Sequence, residues 1–135
     1  MVVVVTGGGS RAISDLLCVP GGSRTLLEAL VPYGSKALVE FLAAEPEHFC
    51  AEPTARIMAV QAYTRAVKLR EDDRPVVGVG ATASLVSDRP KRGPHRCHVA
   101  SQTDAATESY SVVLTKGRRT RLEEELGDHR RLVDE

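Results

Sequence analysis

The sequence predicts an α/β protein, a three-layer α/β/α sandwich around a mixed, mainly parallel sheet. Three observations carry that expectation. Val2 to Val5 is an unbroken β-branched run cut off by Thr6-Gly7-Gly8-Gly9-Ser10, the mark of a strand buried on both faces. Val76 to Ala81 alternates valine with glycine and reads as a second buried strand. Between and after them, helical and extended patterns follow in the order β-α-(β)-α-α-β-β-β-α, which supplies helices for both faces of one sheet.

The first strand ends at the glycines, and Ser10 is placed to cap a helix over 11–18. Ala12, Ile13, Leu16 and Leu17 form the apolar face of that helix, and Pro20-Gly21-Gly22 stops it. The run from Thr25 to Tyr33 fits a helix or a strand; a short helical turn leading into a strand that ends near Tyr33 is the better fit. Ser35 to Ala44 has helical spacing, with Leu38, Phe41 and Leu42 on one side and Pro46 beyond its end. A long helix starts near Pro53. Ile57, Val60, Thr64 and Val67 run along it beside Met58, Ala62, Ala66 and Leu69, and its alanines allow close packing on a sheet. The glycines of 76–81 mark a place where something approaches the backbone closely. Ser87 to Arg96 is basic and turn-rich and reads as an exposed loop. Cys97 to Ser101 and Ser109 to Thr115 then form two strands around a polar turn, and 119–135 form a last helix with Leu122, Leu126, His129 and Val133 on one stripe.

At 135 residues the chain is expected to be a single domain, 1–135. Asp134 and Glu135 at the end of a helix oppose its dipole, which fits fraying or an N-terminal module of a longer chain. Eighteen basic residues balance eighteen acidic ones, so no global field draws the protein to nucleic acid or to an anionic membrane. There is no tryptophan, and three tyrosines and two phenylalanines leave few stacking platforms for single strands. Met1 to Val5 is far shorter than a signal core or a membrane span. Cys18, Cys50 and Cys97 show no CxxC spacing, which points to a reducing compartment and a cytoplasmic protein; Cys18 and Cys50, beside leucines and Phe49, read as small buried hydrophobes.

Any anion site must then be local. Gly7, Gly8, Gly9 and Ser10, after a buried strand and before a helix, present backbone N–H groups and a helix dipole to a phosphate or carboxylate, although a tight β-α turn needs the same residues. Arg89, Lys91 and Arg92, with His95 and Arg96, form a basic loop suited to phosphate oxygens or simply to solvent. His95-Arg96-Cys97-His98 leads into a strand, where alternate side chains face opposite ways, so no metal site is expected there, nor any cofactor elsewhere. Tyr33 and Lys36, at a strand-to-helix turn, are the pair best able to position or deprotonate a hydroxyl.

Taken together, the glycine turn, Val19-Pro20-Gly21-Gly22-Ser23, Tyr33 and Ala55-Arg56-Ile57-Met58-Ala59 resemble the C-terminal domain of the competence/damage-inducible CinA family. The resemblance spans nearly the whole chain in order. It is closest to a plant and bacterial subgroup in which strings similar to 84–93 and 114–121 precede a nucleotidyltransferase-like domain. That family hydrolyses nicotinamide mononucleotide to nicotinate mononucleotide and ammonia. Where its motif reads Glu-Ser-Cys-Thr-Gly-Gly, this chain has Val5-Thr6-Gly7-Gly8-Gly9-Ser10, so the nucleophile position falls on Thr6 and the acid is lost. Tyr33 matches the family's tyrosine. The family's lysine falls on Leu38, with Lys36 nearby, and its Thr-Gly-Ile-Ala-Gly-Pro loop appears as Gly80-Ala81-Thr82-Ala83-Ser84-Leu85.

The resemblance implies a domain that binds a mononucleotide or another small phosphorylated ligand through Gly7 to Ser10, Thr82, Arg89, Lys91 and Arg92, with a degenerate amidohydrolase site at Thr6, Tyr33 and Lys36. Amide hydrolysis would need Thr6 to attack, Lys36 or Tyr33 to move protons and the glycine amides to hold the oxyanion. Two alternatives stand beside this: an active nicotinamide mononucleotide deamidase, and an oligomerisation module for a nucleotidyltransferase domain. A homo-oligomer, dimer or trimer, is the expected assembly.

Overall fold

The structure is a computed structural model and describes residues 1–22, 25–84 and 95–114. The basic loop with Arg89, Lys91 and Arg92, the strings 85–93 and 115–121, and the last helix over 119–135 lie outside the described residues. Five strands, β1 (Val2–Thr6), β2 (Glu28–Leu30), β3 (Gly78–Ser84), β4 (His95–Gln102) and β5 (Thr107–Leu114), form one sheet in the order β2-β1-β3-β4-β5. The helices are α1 (Ser10–Cys18), α2 (Ser35–Leu42) and α3 (Glu52–Leu69).

β1 pairs in parallel with β2 on one side and β3 on the other, and every one of its residues is buried. Such a strand must be apolar on both faces, which is why the sequence has valine at four successive positions. β4 and β5 continue the sheet as an antiparallel hairpin, closed by Thr103 N–H donating to the Ala106 carbonyl. The chain moves from β1 outward to β2 through α1, then back past β1 to β3 through α2 and α3. Right-handed crossovers in opposite directions put their helices on opposite faces. Accordingly Ile13 and Leu16 of α1 pack with Val3, Val5, Ala81, Cys97 and Val99, whereas Leu38, Leu42, Met58, Ala62 and Ala66 pack on Val2 and Val4.

α3 lies unusually close to the sheet. Its alanines at 55, 59, 62 and 66 are fully buried, and below them stand Gly78 and Gly80. A β-carbon on Gly80 would meet the Met58 β-carbon at 2.5 Å and the Ala59 nitrogen at 2.7 Å; one on Gly78 would overlap the Tyr63 nitrogen and the Ala59 carbonyl oxygen. The partner that approaches the Val-Gly strand is therefore α3. Pro53 in the first turn of α3, Glu52 beside it and Lys68 in the last turn suit the helix geometry and dipole.

Four local expectations are corrected. Gly9, in the left-handed conformation at φ 90°, occupies the N-cap of α1, and Ser10 is its first helical residue. Leu17 is 67% exposed, because only the Ala12, Ile13 and Leu16 side of this short helix reaches the sheet. Cys18, two residues after Leu16 and on the opposite side of the helix, is exposed rather than buried. The strand before Tyr33 has only three residues, since β1 offers it partners only at Val2, Val3 and Val4.

Candidate functional site

The carboxyl end of β1 is where the fold opens. There the chain leaves β1 toward one face through Gly7, Gly8 and Gly9, and leaves β2 toward the other through 31–34, so the sheet edge between them is not bridged by a helix. Gly7 has φ 80° and sits so tightly on Ala83 that a β-carbon would overlap the Ala83 carbonyl oxygen. The turn is thus required by packing between β1 and β3 as well as by its own backbone conformation.

Register gathers polar side chains at this end. Thr6 is opposite Thr82, Thr82 is opposite His98, and His98 is opposite Ser111, one row across β1, β3, β4 and β5. By strand alternation all four point to the α3 side, since Ala100, two residues from His98, packs with Ala55 and Ala59. In the next row Ser84 stands opposite Arg96. One row closer to the start of β1 the same face is Val4, Gly80 and Ala100 under α3; the polar rows lie beside the N-terminal start of α3.

The segment 43–51, between α2 and α3, roofs these rows. The Thr82 hydroxyl donates to the Phe49 carbonyl at 2.8 Å, the Cys50 thiol lies 3.6 Å from the Arg96 carbonyl, and Thr54 donates to the His48 carbonyl. Beside this roof an open groove of about 360 Å³ is lined by Ser35, Lys36, Val39, Glu40, Glu45 and Phe49. Phe49 therefore links the groove that holds Lys36 to the hydroxyl of Thr82. Tyr33 is 70% exposed in the 31–34 link, and Thr6 is buried at 8%.

His98 Nδ1 is 2.6 Å from the Ser111 hydroxyl. Burial holds the His98 pKa below its ordinary value, the Arg96 guanidinium acts in the same direction, and Glu52 acts against them. Glu52 itself accepts from Ser109 at 2.9 Å and pairs with Arg56 at 3.5 Å. Among the described residues no group of three histidine, cysteine or acidic side chains is placed to hold a metal ion.

The whole fold matches several solved structures. A competence or damage-inducible protein from Enterobacter asburiae superposes with TM-score 0.73 at 14% identity, covering 98% of this chain and 83% of its own. The competence/damage-inducible protein CihA from Agrobacterium tumefaciens gives 0.70 at 19% identity, over 99% of this chain and 81% of its own. A CinA superfamily protein from Klebsiella pneumoniae gives 0.74 at 12%, over 98% and 82%. The chain folds as a CinA-like domain. No family model matches the sequence, and no curated protein sequence matches it.

Within this CinA-like domain the structure puts Thr6, Gly7 to Ser10 and Thr82 at one edge of the sheet, with Lys36 in the groove beside Phe49 and Tyr33 in the link after β2. Arg96 and His98 share the face of Thr6 and Thr82, and sequence reading did not place them there. Alternation along 95–98 correctly separates His95 and Cys97 from Arg96 and His98, but only the strand register shows which pair joins the threonines. Among the described residues no helix is long and apolar enough to cross a membrane.

Proposed function

We propose that this CinA-like domain binds a small phosphorylated ligand, a mononucleotide, at the carboxyl edge of β1 and β3, with an amidohydrolase centre reduced to ligand binding. The observation that supports it most directly is the register that sets Thr6 opposite Thr82 beside a glycine turn in left-handed conformation, at the sheet edge where open α/β folds take their ligands. The hydrolytic parts are less well provided. Val5 stands where the CinA family's acid would be, and the Thr82 hydroxyl already donates to Phe49. Calorimetric titration with nicotinamide mononucleotide, nicotinate mononucleotide and simple nucleotides tests the reading, followed by an ammonia assay. Saturable binding weakened by Thr6→Val, without ammonia release, is expected. Absence of binding to all of them refutes the proposal, and ammonia release abolished by Thr6→Ala and Tyr33→Phe would establish the deamidase instead.

Self-assembly is a second reading, favoured by the outer face of α3. Ile57 and Val60 are 42% and 43% exposed there, in line with Thr64 and Val67, at the 3-4-3 spacing of a helix-pairing seam. A seam with that spacing reads alike in both directions, so a second copy of the chain can pack on it about a twofold axis. Sedimentation should then show a dimer that Val60→Lys converts to monomer; a monomer in the parent chain at high micromolar concentration rejects this reading.

A further inference from the structure

We infer that Arg96 and His98, neighbours on the α3-facing side of β4, form the phosphate-binding element of the site. The inference rests on the ligand-binding reading above and names the group that this part of the site takes.

Two buried nitrogens carry it. Arg96 Nε and His98 Nε2 are both shielded from solvent, and among the described residues neither has a hydrogen-bond partner. Buried polar nitrogens in native proteins are almost always paired, and an arginine cannot escape the cost by losing its proton. Two orphans on alternate residues of one strand, on one face, describe a site that lacks its partner among the described residues. In the tautomer in which Nδ1 accepts from the Ser111 hydroxyl, the neutral ring of His98 carries its proton on Nε2, and both nitrogens are donors.

Their surroundings select an oxyanion. Arg96 is the Cα partner of Ser84, and His98 that of Thr82, which in turn pairs with Thr6, so hydroxyls adjoin the two donors on the same face. A guanidinium N–H and an imidazole N–H can each take one oxygen of a tetrahedral phosphate monoester. The carboxylate nearest in charge effect, Glu52, is held by Arg56 and Ser109. The segment 43–51 closes over the row through Phe49 and Cys50, which keeps the donors out of water and strengthens their attraction for an anion.

The test uses the full chain, with inorganic phosphate and nicotinamide mononucleotide as probes, against Arg96→Met and His98→Leu. Removing an unpaired buried donor should leave the thermal midpoint unchanged or raise it, while affinity for both probes falls at least about tenfold. Binding of nicotinamide mononucleotide that stays within about twofold in both folded variants overturns this inference and leaves the binding function standing. Phosphate binding that depends on Arg96, without any affinity for mononucleotides, does the reverse. If neither probe binds the parent chain, both fall. Should the variants not fold, the imidazole nitrogen resonances of His98 in the parent chain decide the matter: a phosphate-dependent shift of Nε2 supports the site and an unmoved one rejects it.

Discussion

Gly80 and Ala59 are in closer contact than any pair of larger residues would allow, with room for no β-carbon on the strand beneath the helix. The contact sets how near α3 lies to β3, and thereby where the start of α3 stands relative to the polar rows. Gly80→Ala should force α3 outward and destabilise the domain by about 1–3 kcal/mol, as overpacking does elsewhere. Urea denaturation monitored by circular dichroism measures this, and an unchanged midpoint would contradict the packing described.

Gly7→Ala carries two penalties. The left-handed backbone at φ 80° costs a non-glycine residue about 1–2 kcal/mol, and the new β-carbon overlaps the Ala83 carbonyl. Stability should fall by at least that amount, and ligand affinity with it, because β1 and β3 must separate at the site. A Gly7→Ala protein with parental stability and affinity would show that the turn is not held against Ala83.

Much of the fold is legible in the sequence. The valine run marks β1, the alanines mark the sheet-facing side of α3, and 97–115 reads as a hairpin. What escapes are features that depend on a distant partner. The Val-Gly alternation of β3 signals close approach, but local pattern does not say whether a ligand or a helix approaches. Cys18 has leucine neighbours in sequence, yet it lies on the side of α1 opposite Leu16, which packs on the sheet. Arg96 and His98 join Thr82 and Thr6 only through the register of β4 on β3, and register is set by pairings that composition does not encode.

Stability should vary with pH through His98. Its folded pKa is lowered, chiefly by burial, so on acidification below about 6.5 the unfolded chain takes up a proton that the folded protein resists. Stability attributable to this residue is therefore complete above that pH and declines below it. His98→Leu should flatten the slope of the denaturation midpoint between about pH 5 and 7; an equal slope in both proteins would show that His98 titrates as it does when unfolded.

The three cysteines should separate by reactivity. Cys18 is exposed, Cys50 partly covered and Cys97 buried. Alkylation of the native protein, followed by peptide mass spectrometry, should modify Cys18 first and leave Cys97 unmodified until denaturant is added. Early labelling of Cys97 would mean that the β4 core opens readily.

The register of β1 also has a meaning for synthesis. Val2 pairs with Glu28 and with Gly78, so the most apolar strand of the protein emerges from the ribosome long before its second neighbour exists. At about 5–20 residues per second, residue 78 follows residue 2 by ~4–15 s. Throughout that interval Val2 to Val5 has at most one strand beside it, and the nascent chain displays an adhesive edge that a chaperone or a neighbouring ribosome's product could engage.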